Sequence, residues 1–181
     1  MDVGNMSQPK HSGTDPELRQ AEPTGFDLRR LAQRLRLRLY HVFFLVRRPM
    51  TLGVRMLAFD RDGRIFLVRH TYVSGWHLPG GGVDPGETVL QAVEKELLEE
   101  GNLTLIEAPR LAGIYLNRGA SRRDHVVLYH CALVAQERAK QADREIAEAG
   151  FFDVDALPEG TTPATRKRLA ELNGSEASPY W

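Results

Sequence analysis

The sequence predicts one α/β domain, in which a mixed β-sheet is combined with two or three helices. Two observations lead to this prediction. The 181 residues are 42% apolar and 27% charged, which is the composition of a soluble globular chain with one ordinary domain. From residue 51 onward, short apolar segments rich in β-branched residues are interrupted by segments of helical periodicity. A tail and an arginine-rich arm precede this domain.

Charge and cysteine content exclude several classes of protein. Lys plus Arg and Asp plus Glu both number 24, so the net charge is zero and nothing global attracts the chain to nucleic acid or membrane. Cys131 is the only cysteine, which excludes an intramolecular disulfide and a cysteine zinc site. A reducing, cytoplasmic location is therefore expected.

The first 48 residues divide into a tail and an arm. Residues 1–25 lack the apolar stretch of a secretory signal and are predicted to be disordered. In residues 26–48, leucines at helical spacing are interleaved with seven arginines against one acid, which predicts a basic amphipathic helix. This arm either packs on the domain or binds a polyanion, as a membrane surface or RNA would offer. We expect packing, because the apolar run 39–46 contains three aromatic rings.

The order of elements from Pro49 onward supports the α/β prediction. Segments 51–59 and 64–70 are apolar and β-branched, and the Asp-Gly turn signal at 60–63 predicts that they form a β-hairpin. A loop rich in glycine and proline follows over 71–87. Further strands are predicted over 111–117, over 125–135 and within 149–158.

Capping signals mark two helices in the domain. Thr88 and Gln91 have the spacing of a capping box, and the helical pattern that they open ends at Gly101 and Asn102, which tolerate a left-handed stop. Thr162 and Pro163 open a last helix that runs to about residue 172.

The first of these helices carries the strongest chemical signal. Glu96, Glu99 and Glu100 lie at positions i, i+3 and i+4, so that they share an arc of about 100°. Three like charges this close repel one another unless a cation compensates them. Carboxylates in this arrangement suit a hard divalent ion, Mg²⁺ or Mn²⁺. A solvated acidic helix face is the alternative for the helix taken alone.

The surrounding residues favour the metal. The stretch GGVDPGETVLQAVEKELLEEGNL, from Gly81 to Leu103, resembles the Nudix box, G-x5-E-x7-R-E-U-x-E-E-x-G-U with U apolar. Seven of the nine defined positions agree, and the departures are Lys95 in place of Arg and Asn102 in place of Gly. The chain is therefore similar to Nudix hydrolases over about residues 50–173. We expect the domain over 49–175 and a C-terminal tail over 176–181.

The resemblance implies a mixed sheet sandwiched between helices and a metal-dependent hydrolysis. The reaction would cleave the phosphoanhydride of a nucleoside diphosphate linked to another group. By the family pattern Glu96, Glu99 and Glu100 would bind the metal, Glu99 and Glu100 most directly. The supporting residues would be Gly81, Glu87 and Lys95.

Residues outside the box complete the expected site. The family often supplies its general base from a loop late in the chain, where this sequence has Glu145 and, as second choice, Glu148. Arg69, Trp76 and Arg118 are candidate contacts for the substrate's phosphates or base. The expected partner is a small nucleotide, and nucleic acid or a membrane would be bound only through the 26–48 arm.

Two other functions remain open from the sequence. A lysine cannot grip a carboxylate bidentately, so Lys95, which we expect to reach Glu99 at i+4, would weaken catalysis. The domain would then be a catalytically weak Nudix-fold module that binds a nucleotide or an RNA end. A scaffold or membrane-surface protein that acts through its arm is the third class. Neither the exact substrate nor the oligomeric state is indicated by the sequence.

Overall fold

The structure is a computed structural model that describes residues 28–47 and 49–181. The predicted tail over 1–25 lies outside the described residues. The elements in chain order are α1 Leu28–Arg47, β1 Thr51–Ala58, β2 Ile65–His70, α2 Val89–Gly101, β3 Leu103–Leu105, β4 Arg110–Leu116, β5 Asp124–Cys131, β6 Val134–Gln136, β7 Ile146–Phe152, a 3₁₀ turn Val154–Ala156 and α3 Pro163–Leu172.

The chain divides into two units between Phe44 and Leu45. In the first unit, helix α1 begins within the segment whose leucine spacing predicts a helix. Its described side chains include leucines that are half exposed or more, such as Leu31 and Leu35. None of the helices in the described ranges is long and apolar enough to cross a bilayer.

The sheets of the second unit combine parallel and antiparallel pairs. Strand β5 lies between β1, to which it is parallel, and β4, to which it is antiparallel. Strands β2 and β7 form an antiparallel pair, and so do β3 and β6. The prediction of a mixed α/β fold is therefore confirmed.

The predicted hairpin is wrong in its pairing. The turn at 60–63 forms, since Asp60 N–H donates to the Arg64 carbonyl and Phe59 bridges to Ile65. The two strands then separate, because β1 pairs with β5 and β2 pairs with β7. The turn signal describes only local geometry, whereas both strands are apolar on both faces and are buried between other elements.

Two hydrophobic clusters show why β1 and β2 carry apolar residues on both faces. Alternate residues such as Met56 and Phe66 pack with α2 in one cluster. The residues between them, such as Leu57 and Leu67, pack with Leu169 of α3 in the other cluster. The strands are thus covered by helices on both faces, as the resemblance implied.

Smaller differences concern short strands. The predicted strand 125–135 is divided between β5 and β6, and β7 begins at Ile146, earlier than predicted. Strand β3, only three residues long, was not predicted, because so short a strand carries no readable period.

The capping signals are confirmed. Thr88 and Gln91 form the reciprocal capping box of α2, and Asn102 adopts the left-handed conformation with φ of 51°. Thr162 caps α3, with Pro163 in its first turn. At the C-terminal end, Trp181 N–H donates to the Leu116 carbonyl of β4.

Candidate active site

A cleft of about 380 Å³ lies between α2 and the segment that precedes β7. Glu96, Glu99 and Glu100 line it from the helix, and Glu145 lines it from the opposite side. The structure thus brings together the three predicted metal ligands and the predicted base, although the latter was chosen from a different part of the chain. The other lining residues are Lys140, Asp143, Arg144 and Ile146.

Glu100 is the most buried of the four carboxylates, with 7% of its surface exposed. Its Oε2 accepts a hydrogen bond of 2.7 Å from Gly80 N–H. Its Oε1 lies 3.7 Å from His70 Nε2, but burial and the nearby charge of Arg55 lower the pKa of His70 to about 4. The imidazole is therefore neutral at physiological pH and does not compensate the carboxylate charge.

Burial raises the pKa of Glu100 to about 7, against the opposing effect of the Gly80 hydrogen bond. Burial also raises the pKa of Glu96, although the Lys95 charge opposes this. The negative charges of both carboxylates are thus not fully compensated within the protein. A bound cation would supply the missing compensation.

The glycines of the loop make room for these carboxylates. A Cβ on Gly81 would lie 2.4 Å from Glu96 Oε1, so only glycine lets the carboxylate pack here. A Cβ on Gly80, where φ is +139°, would lie 2.1 Å from the Val54 carbonyl oxygen. The supporting position predicted for Gly81 therefore has a physical basis, since its backbone packs directly against a cleft carboxylate.

Lys95 does not reach Glu99, and this expectation was wrong. Its Nζ lies 3.0 Å from Asp84 Oδ2, 3.3 Å from Glu87 Oε2 and 3.9 Å from Glu96 Oε1. Glu87 also accepts a hydrogen bond of 2.9 Å from Asp84 N–H. The carboxylates of the loop hold the ammonium group, so Lys95 ties the glycine-rich loop to α2.

The backbone at Glu145 is fixed from both sides. Asp143 Oδ1 accepts hydrogen bonds from the N–H groups of Glu145 and Ile146, at 2.9 and 2.8 Å. The Glu145 carbonyl accepts from Thr71 N–H, just after β2. These backbone donors, together with Lys140, hold the pKa of Asp143 well below its usual range. The Glu145 side chain is exposed and lines the cleft.

The three predicted substrate contacts do not line this cleft. Arg69 forms an ion pair of 2.6 Å with Glu148, and Trp76 packs edge-on against Phe152. Arg118 stacks over the Tyr180 ring, with its guanidinium carbon 3.9 Å from the ring centre. Each of these side chains already has a partner within the domain.

Two residues beside the carboxylates were missed by sequence reasoning. His70 shows no ligand spacing in the sequence, and its distance to Glu100 depends on how β2 lies against α2. Arg55, on β1, donates a hydrogen bond to the Gly80 carbonyl. A readable signal for Arg55 exists, since it is a charged residue within an otherwise apolar strand.

The donor set fits a hard divalent cation. Carboxylate oxygens are the preferred ligands of such ions, and the buried Glu100 has no cationic partner within ion-pair distance among the described residues. Within 28–47 and 49–181, no group of three or more His, Cys, Asp or Glu side chains is already arranged to hold a metal. The exposed Glu99 side chain would therefore have to turn inward to bind a metal together with Glu96 and Glu100.

Comparisons with known proteins show the family of the chain. A sequence model of the NUDIX domain matches residues 49–172. The chain is 42% identical to the "Putative 8-oxo-dGTP diphosphatase" of Bacillus subtilis over 127 residues, which cover 70% of this chain and 83% of that protein. It is 32% identical over 102 residues to the ADP-ribose pyrophosphatase of Methanocaldococcus jannaschii, covering 55% of this chain and 60% of that protein.

Solved structures show the same fold. The crystal structure of a MutT NUDIX hydrolase from Burkholderia pseudomallei superimposes with a TM-score of 0.57 at 30% identity, covering 67% of this chain and 97% of that one. The crystal structure of an ADP-ribose pyrophosphatase from Streptococcus suis superimposes with a TM-score of 0.54 at 29% identity, covering 70% of this chain and 94% of that one. From the box, the carboxylate cleft and these matches together, the chain belongs to the Nudix family.

Proposed function

We propose that the protein is a Nudix pyrophosphohydrolase, which uses water and a divalent metal to cleave the phosphoanhydride of a nucleoside diphosphate linked to another group. The observation that carries this proposal is the cleft in which the buried Glu100 and its neighbours on α2 face Glu145. The names of the relatives, a pyrophosphatase and a diphosphatase, support hydrolysis of such a bond.

The metal in this proposal is Mg²⁺ or Mn²⁺, held by Glu96, Glu99 and Glu100. When bound, such an ion neutralises phosphate charge and makes water a better nucleophile. The protein's own contribution is to hold the carboxylates in place. Gly80 N–H orients Glu100, and the packing of Glu96 against Gly81 limits the positions that its carboxylate can take.

Glu145 is proposed as the group that accepts a proton from the attacking water. Glu145 lies across the cleft from the α2 carboxylates, and its backbone is held by Asp143 and Thr71. This position supports the proposed role. A general base must first lie within hydrogen-bond distance of the reacting water. Glu148, the second choice from the sequence, is paired with Arg69 instead.

These two glutamates provide a matched test of the base. We expect Glu145→Gln to lower kcat while leaving Mn²⁺ binding to the substrate-free protein intact, and Glu148→Gln to leave both unchanged. General-base catalysis contributes about 10²–10⁴-fold to rate, so the expected fall in kcat is about a hundredfold or more. Equal kcat in the two variants would exclude Glu145 as the base.

The fold does not specify the substrate, so a panel of candidate substrates is needed to identify it. The relatives' names point to two substrate types, ADP-ribose and an oxidised guanine nucleotide. We propose to incubate the purified protein with both, with dinucleoside polyphosphates and with 5′-triphosphorylated RNA, each with Mg²⁺, Mn²⁺ or a chelator. Metal-dependent release of phosphate-bearing products supports the proposed function. Binding without turnover throughout the panel would instead favour the nucleotide-binding module.

A further inference from the structure

Arg55 is a charged residue in the middle of β1, an otherwise apolar strand. Its neighbours Val54 and Met56 are buried, and their N–H groups donate to the carbonyls of Gly81 and Pro79. The glycine-rich loop therefore runs directly beside β1. The Arg55 side chain is half-buried at this junction and donates a hydrogen bond to the Gly80 carbonyl.

The same Gly80 residue joins Arg55 to the carboxylate cleft. Its carbonyl accepts from Arg55, and its N–H donates to Glu100 Oε2 at 2.7 Å. The positive charge of Arg55 is close enough to oppose the rise in the pKa of Glu100 that burial causes. Gly80 thus bonds both to Arg55 and to the Glu100 carboxylate, and one N–H group of Arg55 is fixed there.

The remaining donors of Arg55 have no partner in the described part of the chain. A guanidinium offers five N–H donors, and only the one to Gly80 is used. No carboxylate lies within ion-pair distance of Arg55 among the described residues, whereas Lys95, Lys140 and Arg69 are each paired with an acid. The free donors of this half-buried cation would gain a partner from an anionic ligand.

We propose that Arg55 is a substrate-binding residue whose guanidinium contacts a phosphate oxygen of the diphosphate beside the α2 carboxylates. This inference rests on the proposed function, because the hydrolase substrate supplies the anion. Planar guanidinium groups match phosphate oxygens bidentately, and the bond to Gly80 orients the rest of the fork in advance. Arg144 is the arginine among the lining residues of the cleft itself, but its exposed side chain is screened by water.

The competing role for Arg55 is to position Glu100 through Gly80. The two roles have opposite consequences for metal binding. A phosphate-binding arginine repels a divalent cation slightly, so its removal leaves the affinity for Mn²⁺ unchanged or higher. A positioning arginine holds a metal ligand, so its removal lowers that affinity and kcat while KM stays the same.

The test compares Arg55→Gln and Arg55→Lys with a control, Arg64→Gln. Arg64 is also an arginine near these strands, but it pairs with Asp60 and Asp62 of the turn, at 2.7 and 3.1 Å. Calorimetry measures Mn²⁺ binding alone and inorganic pyrophosphate binding in the presence of Mn²⁺, and steady-state kinetics gives KM and kcat. Thermal melting reports whether each variant is folded.

For Arg55→Gln we expect the Kd for pyrophosphate and the KM to rise about tenfold or more, as for loss of a charge-assisted hydrogen bond. Arg55→Lys should show a smaller rise, and Arg64→Gln none. If Arg55→Gln does not fold, the same measurements on Arg55→Lys decide between the two roles of Arg55. This variant keeps the positive charge but loses the bidentate guanidinium group. Unchanged pyrophosphate binding, or a loss of Mn²⁺ affinity with KM unchanged, would overturn the proposal.

Failure of the proposed function is distinguishable from failure of this inference. A wild-type protein that hydrolyses nothing in the panel refutes the proposed hydrolase. Pyrophosphate binding does not depend on turnover, so the comparison of wild type with the Arg55 variants still decides the role of Arg55. A wild-type protein that binds no pyrophosphate in the presence of Mn²⁺ counts against Arg55 as a phosphate ligand.

Discussion

At Glu100, burial and charge oppose one another. The folded protein keeps this carboxyl protonated up to about pH 7, whereas an unperturbed glutamate releases its proton near 4.5. Between these values Glu100 binds more protons in the folded state than in the unfolded chain, so the contribution of this carboxyl to the stability of the metal-free protein falls as the pH rises. This pKa shift lowers the free energy of unfolding by about 3 kcal/mol once the pH is above both pKa values.

Glu100→Gln should therefore stabilise the metal-free protein at about pH 8. The amide removes the buried charge and keeps an oxygen that can accept from Gly80 N–H. We expect a higher melting temperature than wild type at about pH 8 and a similar one near pH 4. Glu94→Gln, on an exposed position of the same helix, should show no such difference. The same difference in melting temperature between Glu100→Gln and wild type near pH 4 and at about pH 8 would contradict this prediction.

Lys95 gives a second prediction at the scale of one residue. The sequence predicts that Lys95→Arg raises turnover several-fold by gripping Glu99, but in the structure Lys95 contacts Asp84 and Glu87. An arginine would hold the same two loop carboxylates, so we expect kcat/KM to change by less than about twofold. A several-fold rise would show that residue 95 acts on Glu99 after all.

The glutamates show how far a sequence can predict a site. Spacing along one helix places Glu96, Glu99 and Glu100 on one face, since the period of a helix is fixed. Glu145 could be proposed only through the family resemblance, and its approach to the cleft is a product of the fold. His70 and Arg55 could not be placed, because their positions depend on which strands pair.

The element that shapes the cleft is the loop of three successive glycines before α2. A Cβ at Gly81 would collide with the flexible end of Glu96, while a Cβ at Gly82 would meet nothing within 4 Å. Gly81→Ala should therefore displace the Glu96 carboxylate without unfolding the domain. We expect weaker Mn²⁺ binding and lower turnover in Gly81→Ala, and unchanged Mn²⁺ binding in Gly82→Ala. Equal Mn²⁺ affinity in the two variants would show that Glu96 is not a ligand.

The elements themselves were predicted better than their pairing. Capping residues at Thr88 and Thr162 are local chemistry, and the helices begin where these residues predict. The turn after β1 is local as well, and it forms. The partners of β1 and β2 are chosen by burial against α2 and α3, which involves residues distant in sequence, so a hairpin was predicted in error.

For the whole molecule, the arm over 26–48 gives a prediction that sequence alone supports. If its apolar run packs on the domain, a chain shortened to 49–181 should melt at a lower temperature and tend to aggregate. If its arginines bind a polyanion, the shortened chain should keep its melting temperature and lose salt-sensitive binding to anionic vesicles or RNA. We expect the first result, and an unaltered melting temperature without aggregation would contradict it.

In the proposed function the α2 carboxylates hold a metal that the hydrolysis requires. The rate of product release from the best substrate of the panel, with Mg²⁺, is to be measured for wild type and Glu100→Gln. We predict turnover by wild type that stops with a chelator, and a fall of about a hundredfold or more in the variant, whose fold is intact. Unchanged turnover in a folded Glu100→Gln protein would contradict this account of the site.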